Sequence, residues 1–364
     1  MNDFLDEKKE VIGHFQFPGE LEEVIPYGNG HINDTFRLTF REDEKQKRYI
    51  LQKMNKEVFH NPVELMENIM GVTSWLKKKI TERGGDPERE TLNVIPDLGG
   101  KSYYQDIYGE YWRAYNYIEH ATSFDQVQNR DDFYQSAVAF GNFQSLLADY
   151  PADTLYETIP HFHDTADRFL KFSRAVEEDV YDRVKDVEQE IAFVRENREL
   201  THILTDQNMP LRVTHNDTKL NNIMIDDTTH KGICVIDLDT VMPGLAVNDF
   251  GDSIRFGAST AAEDEQDLSK VACDLELFEL YTKGFIEGCQ GKLTETELNH
   301  LPTGAMVMTY ECGMRFLTDY LEGDHYFKIH RPNHNLDRCR TQFQLVKDMQ
   351  QKLGQMCDIV NKYK

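Results

Sequence analysis

The chain has no stretch of about 18 apolar residues, so nothing in it reads as a membrane-spanning helix. Its opening, MNDFLDEKKE, lacks a basic start followed by an apolar run, which argues against a secretory signal. No C-x-x-C pair occurs among the six cysteines, Cys234, Cys273, Cys289, Cys312, Cys339 and Cys357, so a zinc knuckle is not expected. Internal repeats and low-complexity linkers are absent. Positive charge is scarce: 40 Lys and Arg face 64 Asp and Glu, for a net charge of −24. Such a surface lacks the basic footprint that nucleic-acid phosphates or anionic lipid require. Local cations, backbone N–H groups and a divalent metal can still hold one small anion inside an acidic protein. A reduced, cytoplasmic protein with free thiols is the expectation. The oligomeric state is left open, a monomer being compatible.

Apolar material, by contrast, is ample. Hydrophobic residues make up 40% of 364 positions, which is long for one core and points to two lobes. HINDTFRLTF and KRYILQKM read as strands on either side of a charged hairpin, REDEKQK. NPVELMENIMGVTSWLKKKI reads as a helix with Asn61 as N-cap and Pro62 at its first position. KSYYQDIYGEYWRAYNYIEH reads as two further strands about Gly109 and Glu110. Beyond the connector near 115–120 the period becomes helical. DDFYQSAVAFGNFQSLLADY, AVEEDVYDRVKDVEQEIAFVRENRELTHIL, AEDEQDLSKVACDLELFELYTKGFIEGC and TQFQLVKDMQQKLGQMCDIVNKY are all expected to be helical. The glutamate-rich part around Glu177–Glu190 is expected to be a solvated helix face. The predicted class is α+β. Residues 1–116 form a small antiparallel-sheet N-lobe with one helix, and 117–364 a larger helix-rich C-lobe. A ligand belongs in the cleft between them.

The helical half is interrupted by LRVTHNDTKLNNIMID and KGICVIDLDT, whose short period suits two strands and their turns. Asn222 follows Asp217 by five residues, and Asp237 follows it by 20. That spacing suits phosphoryl transfer: one carboxylate to accept the proton of an attacking hydroxyl, and two oxygen donors for a metal across the phosphates. Asp237 is the expected metal ligand, with Asp239 its rival, since strand alternation would send both to one side. A literal DFG at Asp249-Phe250-Gly251 is read as a brace for the loop or a cap, not as a metal ligand. His215 is read as an orienting histidine. His161 and His163, in HFHD, have metal-like strand spacing but no partner cluster, so zinc is not favoured. In PYGNGHINDTF, Gly28 and Gly30 either let backbone approach a phosphate or form an ordinary turn. Arg315, with apolar and small neighbours, is read as a cation beside a buried polar ligand.

Through THNDTKLNN and VIDLDT the chain resembles the aminoglycoside phosphotransferase superfamily, whose fold is two-lobed and kinase-like. Through PYGNGHINDTF, IPHFHDT, DFGDSIRFGAST and ECGMRFLTDYLEGDHYF, in the same order along the chain, it resembles more narrowly the N-acetylhexosamine 1-kinases. That resemblance implies transfer of phosphate from ATP, with Mg²⁺, to the C1 hydroxyl of N-acetylglucosamine or N-acetylgalactosamine. It implies Asp217 as base, Asn222 and Asp237 on Mg²⁺, and His31, Asp217, Arg315 and Tyr326 on the sugar. Adenine would lie along Tyr115 to Ile118, so Gly28, Gly30, Tyr115 and Tyr117 would serve the nucleotide. Acceptors such as an aminoglycoside, choline or homoserine, or a non-catalytic binding role, are the alternatives. One departure stands out. The superfamily's phosphate-binding lysine on the third strand aligns with Gln52, and period two sends Lys53 to the opposite face unless a bulge turns it inward.

Overall fold

A computed structural model describes residues 8–28, 32–124 and 129–364. The N-terminal part is built on strands β1 (Glu20–Pro26), β2 (Asp34–Glu42), β3 (Lys45–Lys53), β4 (Val94–Ile95), β5 (Tyr104–Gln105) and β6 (Tyr111–Asn116). They form one antiparallel sheet in the order β1-β2-β3-β6-β4, with β5 also on β6. Helix α1 (Pro62–Glu82) follows β3. Asn61 caps it by accepting from the Glu64 N–H, and Pro62 opens it, as the sequence predicts.

Alternation divides the sheet's faces. Leu38, Phe40, Tyr49, Leu51, Trp112 and Ala114 pack on one side with Val11, Ile12 and Phe15. Ile50, Gln52, Arg113 and Tyr115 line the cleft on the other. The register of β3 with both neighbours runs unbroken through Lys53, so no bulge redirects it. Lys53 stays on the far face, 3.6 Å from Glu110.

The second lobe is helical: α2 (Arg130–Leu146), α3 (Thr165–Glu178), α4 (Glu188–Glu196), α5 (Ala246–Gly257), α6 (Leu275–Cys289), α7 (Glu295–Leu321) and α8 (His334–Tyr363). Short strands β7 (Ala121–Thr122), β8 (Arg212–Thr214), β9 (Ile223–Asp226), β10 (Gly232–Val235) and β11 (Met242–Gly244) form a three-stranded β10-β9-β7 sheet and a β11-β8 pair. The second lobe shares one large core with α1, and it is this core that seats β8 and the loop after it. At the α5–α7 crossing the backbones nearly touch: a Cβ on Gly251 would lie 2.4 Å from the Gly304 carbonyl oxygen. Among the described residues no helix is long and apolar enough to cross a membrane. All six cysteines are free, and all but Cys357 are buried.

Three helical expectations need correction. The stretch from Ala175 is not continuous: α3 ends at Glu178, and Asp179 turns left-handed (φ 39°), its carboxylate accepting from the N–H groups of Arg183 and Val184. Glu177, Glu178 and Glu188 are exposed as expected, but Glu190 is buried against the Arg340 guanidinium, 2.6 Å away. The segment before Leu275 is irregular, apart from one 3₁₀ turn at Leu268–Lys270.

Candidate active site

Strand β8 enters from a buried anchor. Arg212 is paired with Glu297, whose other duty is the capping box with Thr294 at the start of α7. The chain then leaves β8 into the loop 215–222, and its backbone donors are taken up from below. The Asp249 carboxylate accepts from the His215 N–H (2.9 Å) and the Asn216 N–H (2.8 Å). Gln144 holds the same carboxylate at 2.8 Å, and the Thr218 hydroxyl donates to the Asp249 carbonyl at 2.6 Å. Asp249 therefore braces the loop, as expected of this DFG. Burial raises its pKa above the usual carboxylate range, against the loop donors that lower it. His215 is fully buried, with Nε2 2.9 Å from the Ile236 carbonyl and its ring edge-on to Phe140. It orients the loop. Asn216 sits left-handed (φ 65°), held by its side-chain amide on the Thr240 carbonyl at 2.8 Å.

This scaffold presents Asp217 into a cavity of about 590 Å³ between the lobes. The amide of Asn222 donates to the Asp217 carbonyl (2.8 Å) and lies 3.3 Å from its Oδ2. Lys219 holds Oδ1 at 2.7 Å. The sequence reading did not single out Lys219, although its place two residues after the candidate base is a local signal. Asp237 lines the same cavity but is not a strand residue. It follows β10 in a left-handed conformation (φ 57°), and Asp239 lies in the next turn, so alternation does not relate them. Burial, then the Asp239 and Asp217 charges, push the Asp237 carboxyl up to about 6. Asp239 is committed elsewhere: to Arg113, and to Asn33 at 2.6 Å.

These donors suit Mg²⁺. Among the described residues no three His, Cys, Asp or Glu side chains form a ready-made metal site. Mg²⁺, however, takes one or two protein oxygens and completes its shell with phosphate and water. Asp237 and the amide oxygen of Asn222 offer that. The crowding of carboxylates that raises Asp237 is the charge excess such an ion relieves.

The connector closes the cavity's far end. Tyr115 is buried, and Tyr117 stands under the Arg48 guanidinium, 4.2 Å from its ring, with its hydroxyl 3.0 Å from that of Tyr27. The N–H groups of Asn116 and Tyr117 are already bonded to the Asn93 and Arg48 carbonyls. A base lying here would have to use the Ile118 N–H or carbonyl groups, which narrows the expected contact. Gly28 lines the cavity with φ 77°, a conformation that favours glycine. Gly30 and His31 lie outside the described residues.

Arg315 and Tyr326 are brought together, but away from the cavity's lining. The Arg315 guanidinium lies 5.5, 5.8 and 5.4 Å from the rings of Phe162, Tyr326 and Phe327. One turn back on α7, Glu311 holds His163 (2.8 Å) and Thr165 (2.6 Å). His163 reaches the Asn216 carbonyl at 3.1 Å, so this cluster abuts the loop carrying Asp217. His161 pairs with Asp164 in a left-handed turn rather than a strand, so the two histidines do not converge on a metal.

The comparisons agree with this architecture. Residues 23–273 match the phosphotransferase enzyme family (APH), and the chain belongs to it. Among solved structures it is similar to a microcompartment-associated aminopropanol kinase (TM-score 0.59, 15% identity, 97% of this chain and 98% of that one). It is similar to an aminoglycoside phosphotransferase from Alicyclobacillus acidocaldarius (0.60, 12%, 97% and 96%). It is also similar to a spectinomycin phosphotransferase in complex with AMP (0.52, 16%, 92% and 97%). At such identities the likeness is one of fold, and it is two-lobed and kinase-like.

Proposed function

We propose that this phosphotransferase is an ATP-dependent sugar kinase that phosphorylates the C1 hydroxyl of N-acetylhexosamines. The nucleotide would lie between Tyr115, Tyr117 and Gly28, with 1–116 as its lobe and 117–364 as the acceptor's. Asn222 and Asp237 would hold Mg²⁺, which neutralises phosphate charge when bound. Asp217 would orient the acceptor hydroxyl and take its proton. An anomeric hydroxyl is more acidic than an ordinary alcohol, so a carboxylate base suffices. Lys219, paired with Asp217, offers an ammonium toward the transferred group.

The observation carrying the choice of acceptor is the cluster beside the loop. It is cationic and aromatic: Arg315 and Arg168 lie near each other among Phe162, Tyr326 and Phe327. Burial and the Arg315 charge hold the Arg168 guanidinium below its usual pKa, and its Nε is buried without a partner. The buried carboxylate there, Glu311, is already held by His163 and Thr165. Aminopropanol, ethanolamine or choline, the substrates in the names of several fold relatives, would meet like charge if their ammonium reached this cluster. A neutral sugar with an acetamide carbonyl meets hydrogen-bond donors and ring faces instead. One feature, Gln52 in place of a lysine on β3, favours a second reading, a non-catalytic nucleotide binder.

Phosphate transfer from ATP with Mg²⁺ to N-acetylglucosamine, N-acetylgalactosamine, glucose, kanamycin, choline and homoserine tests this. An acid-labile phosphate ester from the N-acetylhexosamines is expected. Turnover of cationic acceptors alone would overturn the substrate. Nucleotide binding with no turnover would leave the second reading.

A further inference from the structure

The cavity holds three carboxylates, those of Asp217, Asp237 and Asp239, and a nucleotide would add a polyanionic phosphate chain. Burying that much like charge demands protein cations as well as a metal. Among the described lining residues only Arg113 and Lys219 are cationic. Lys219 is at the loop, on Asp217. The sheet wall therefore depends on Arg113.

Arg113 is 1% exposed and stands on β6 directly across the register from Gln52 on β3. Its Nε donates to the Gln52 Oε1 at 2.9 Å, and Gln52 in turn donates to the Thr35 hydroxyl at 3.0 Å. One terminal nitrogen is on Asp239. This chain fixes the guanidinium plane and commits two of its three nitrogens among the described residues. A guanidinium stays charged where a buried ammonium would tend to lose its proton, and its fork can serve two partners at once. We infer that Arg113 is the phosphate-binding cation of the sheet wall, doing from β6 what an ammonium at position 52 of β3 would do, with Gln52 as the neutral group that aims it. The inference rests on the reading of this cavity as a nucleotide site.

The rival is a purely structural joint, in which Arg113 and Asp239 only tie the lobes together. Calorimetric titration of adenosine and ADP without divalent metal separates the two, because only ADP carries phosphates. Arg113→Gln is expected to bind adenosine within about twofold of the wild type and to lose at least about tenfold of the ADP-over-adenosine preference. Arg113→Gln/Gln52→Lys, which returns a cation to β3 beside Asp239, is expected to regain most of it. It also serves as the deciding variant if the single substitution fails to fold. An unchanged preference in folded Arg113→Gln, equal losses for adenosine and ADP, or a folded double variant without the preference would each overturn the inference. Wild-type protein that binds neither ligand would remove the nucleotide reading itself, a different failure.

Discussion

The loop wall of the cleft and the glycine-turn wall face the same cavity but are held by opposite means. On the loop side, backbone donors at His215, Asn216 and Thr218 are bonded to Asp249 and Asp252, and the histidine ring is locked against Ile236. On the turn side, among the described residues, Gly28 has nothing within 4 Å of where a Cβ would be, and Tyr27 is partly exposed. Asn33 ties this turn down through Asp239, and the Asn55 N–H donates to the Asn33 side chain at 3.0 Å. The first wall is preorganised, as chemistry that depends on positioned charge requires. The second carries fewer such bonds among the described residues.

The comparison can be broken first at its rigid side. Asp217→Asn keeps the loop's backbone bonds but removes the proposed base. Steady-state kinetics should show kcat down by about 10³-fold, with nucleotide affinity held within about twofold. A near-normal rate would mean that the wall holds something other than the base. Next, Asp249→Ala orphans the His215 and Asn216 N–H groups, each costing about 1–3 kcal/mol. Urea unfolding should report a loss of about 2–4 kcal/mol, accompanied by lower kcat. If stability held, the loop would owe its shape to other contacts. The smallest effect belongs to the loose wall. Gly28→Ala meets no neighbour among the described residues, so the expected cost is that of the left-handed backbone, about 1 kcal/mol. It should raise KM for ATP several-fold and spare kcat; a large fall in kcat would show that this wall does more than contact the nucleotide.

The rigid wall was also the more legible one. Its key residues lie within one short stretch, and the Asp217-to-Asn222 offset reports a local geometry directly. Period two left Lys53 open to a bulge; the unbroken β3 register puts it on the outer face, where Glu110 meets it. What stayed hidden depended on distant pairing. Nothing local in YWRAYN says that Arg113 will face Gln52, since β3 and β6 are joined only by the sheet. Asp239 read as a spare metal ligand until Arg113 and Asn33 were brought to it. Helix α7 carries Pro302 inside it and small residues at Gly304 and Gly313, which weaken its helical signal. It is helical because its capping box and close packing override propensity. The break after Glu178 hangs on a single left-handed aspartate.

The position of Gln52 also bears on covalent labelling. Nucleotide analogues that carry an electrophile for an active-site amine depend on a lysine at this place on the third strand. Here they would meet an amide backed by a guanidinium, while Lys53 lies across the sheet with Glu110. Among the described lining residues the amine is Lys219. Amine-directed probes should therefore label this cleft poorly, because the ion pair with Asp217 holds Lys219 as an unreactive ammonium.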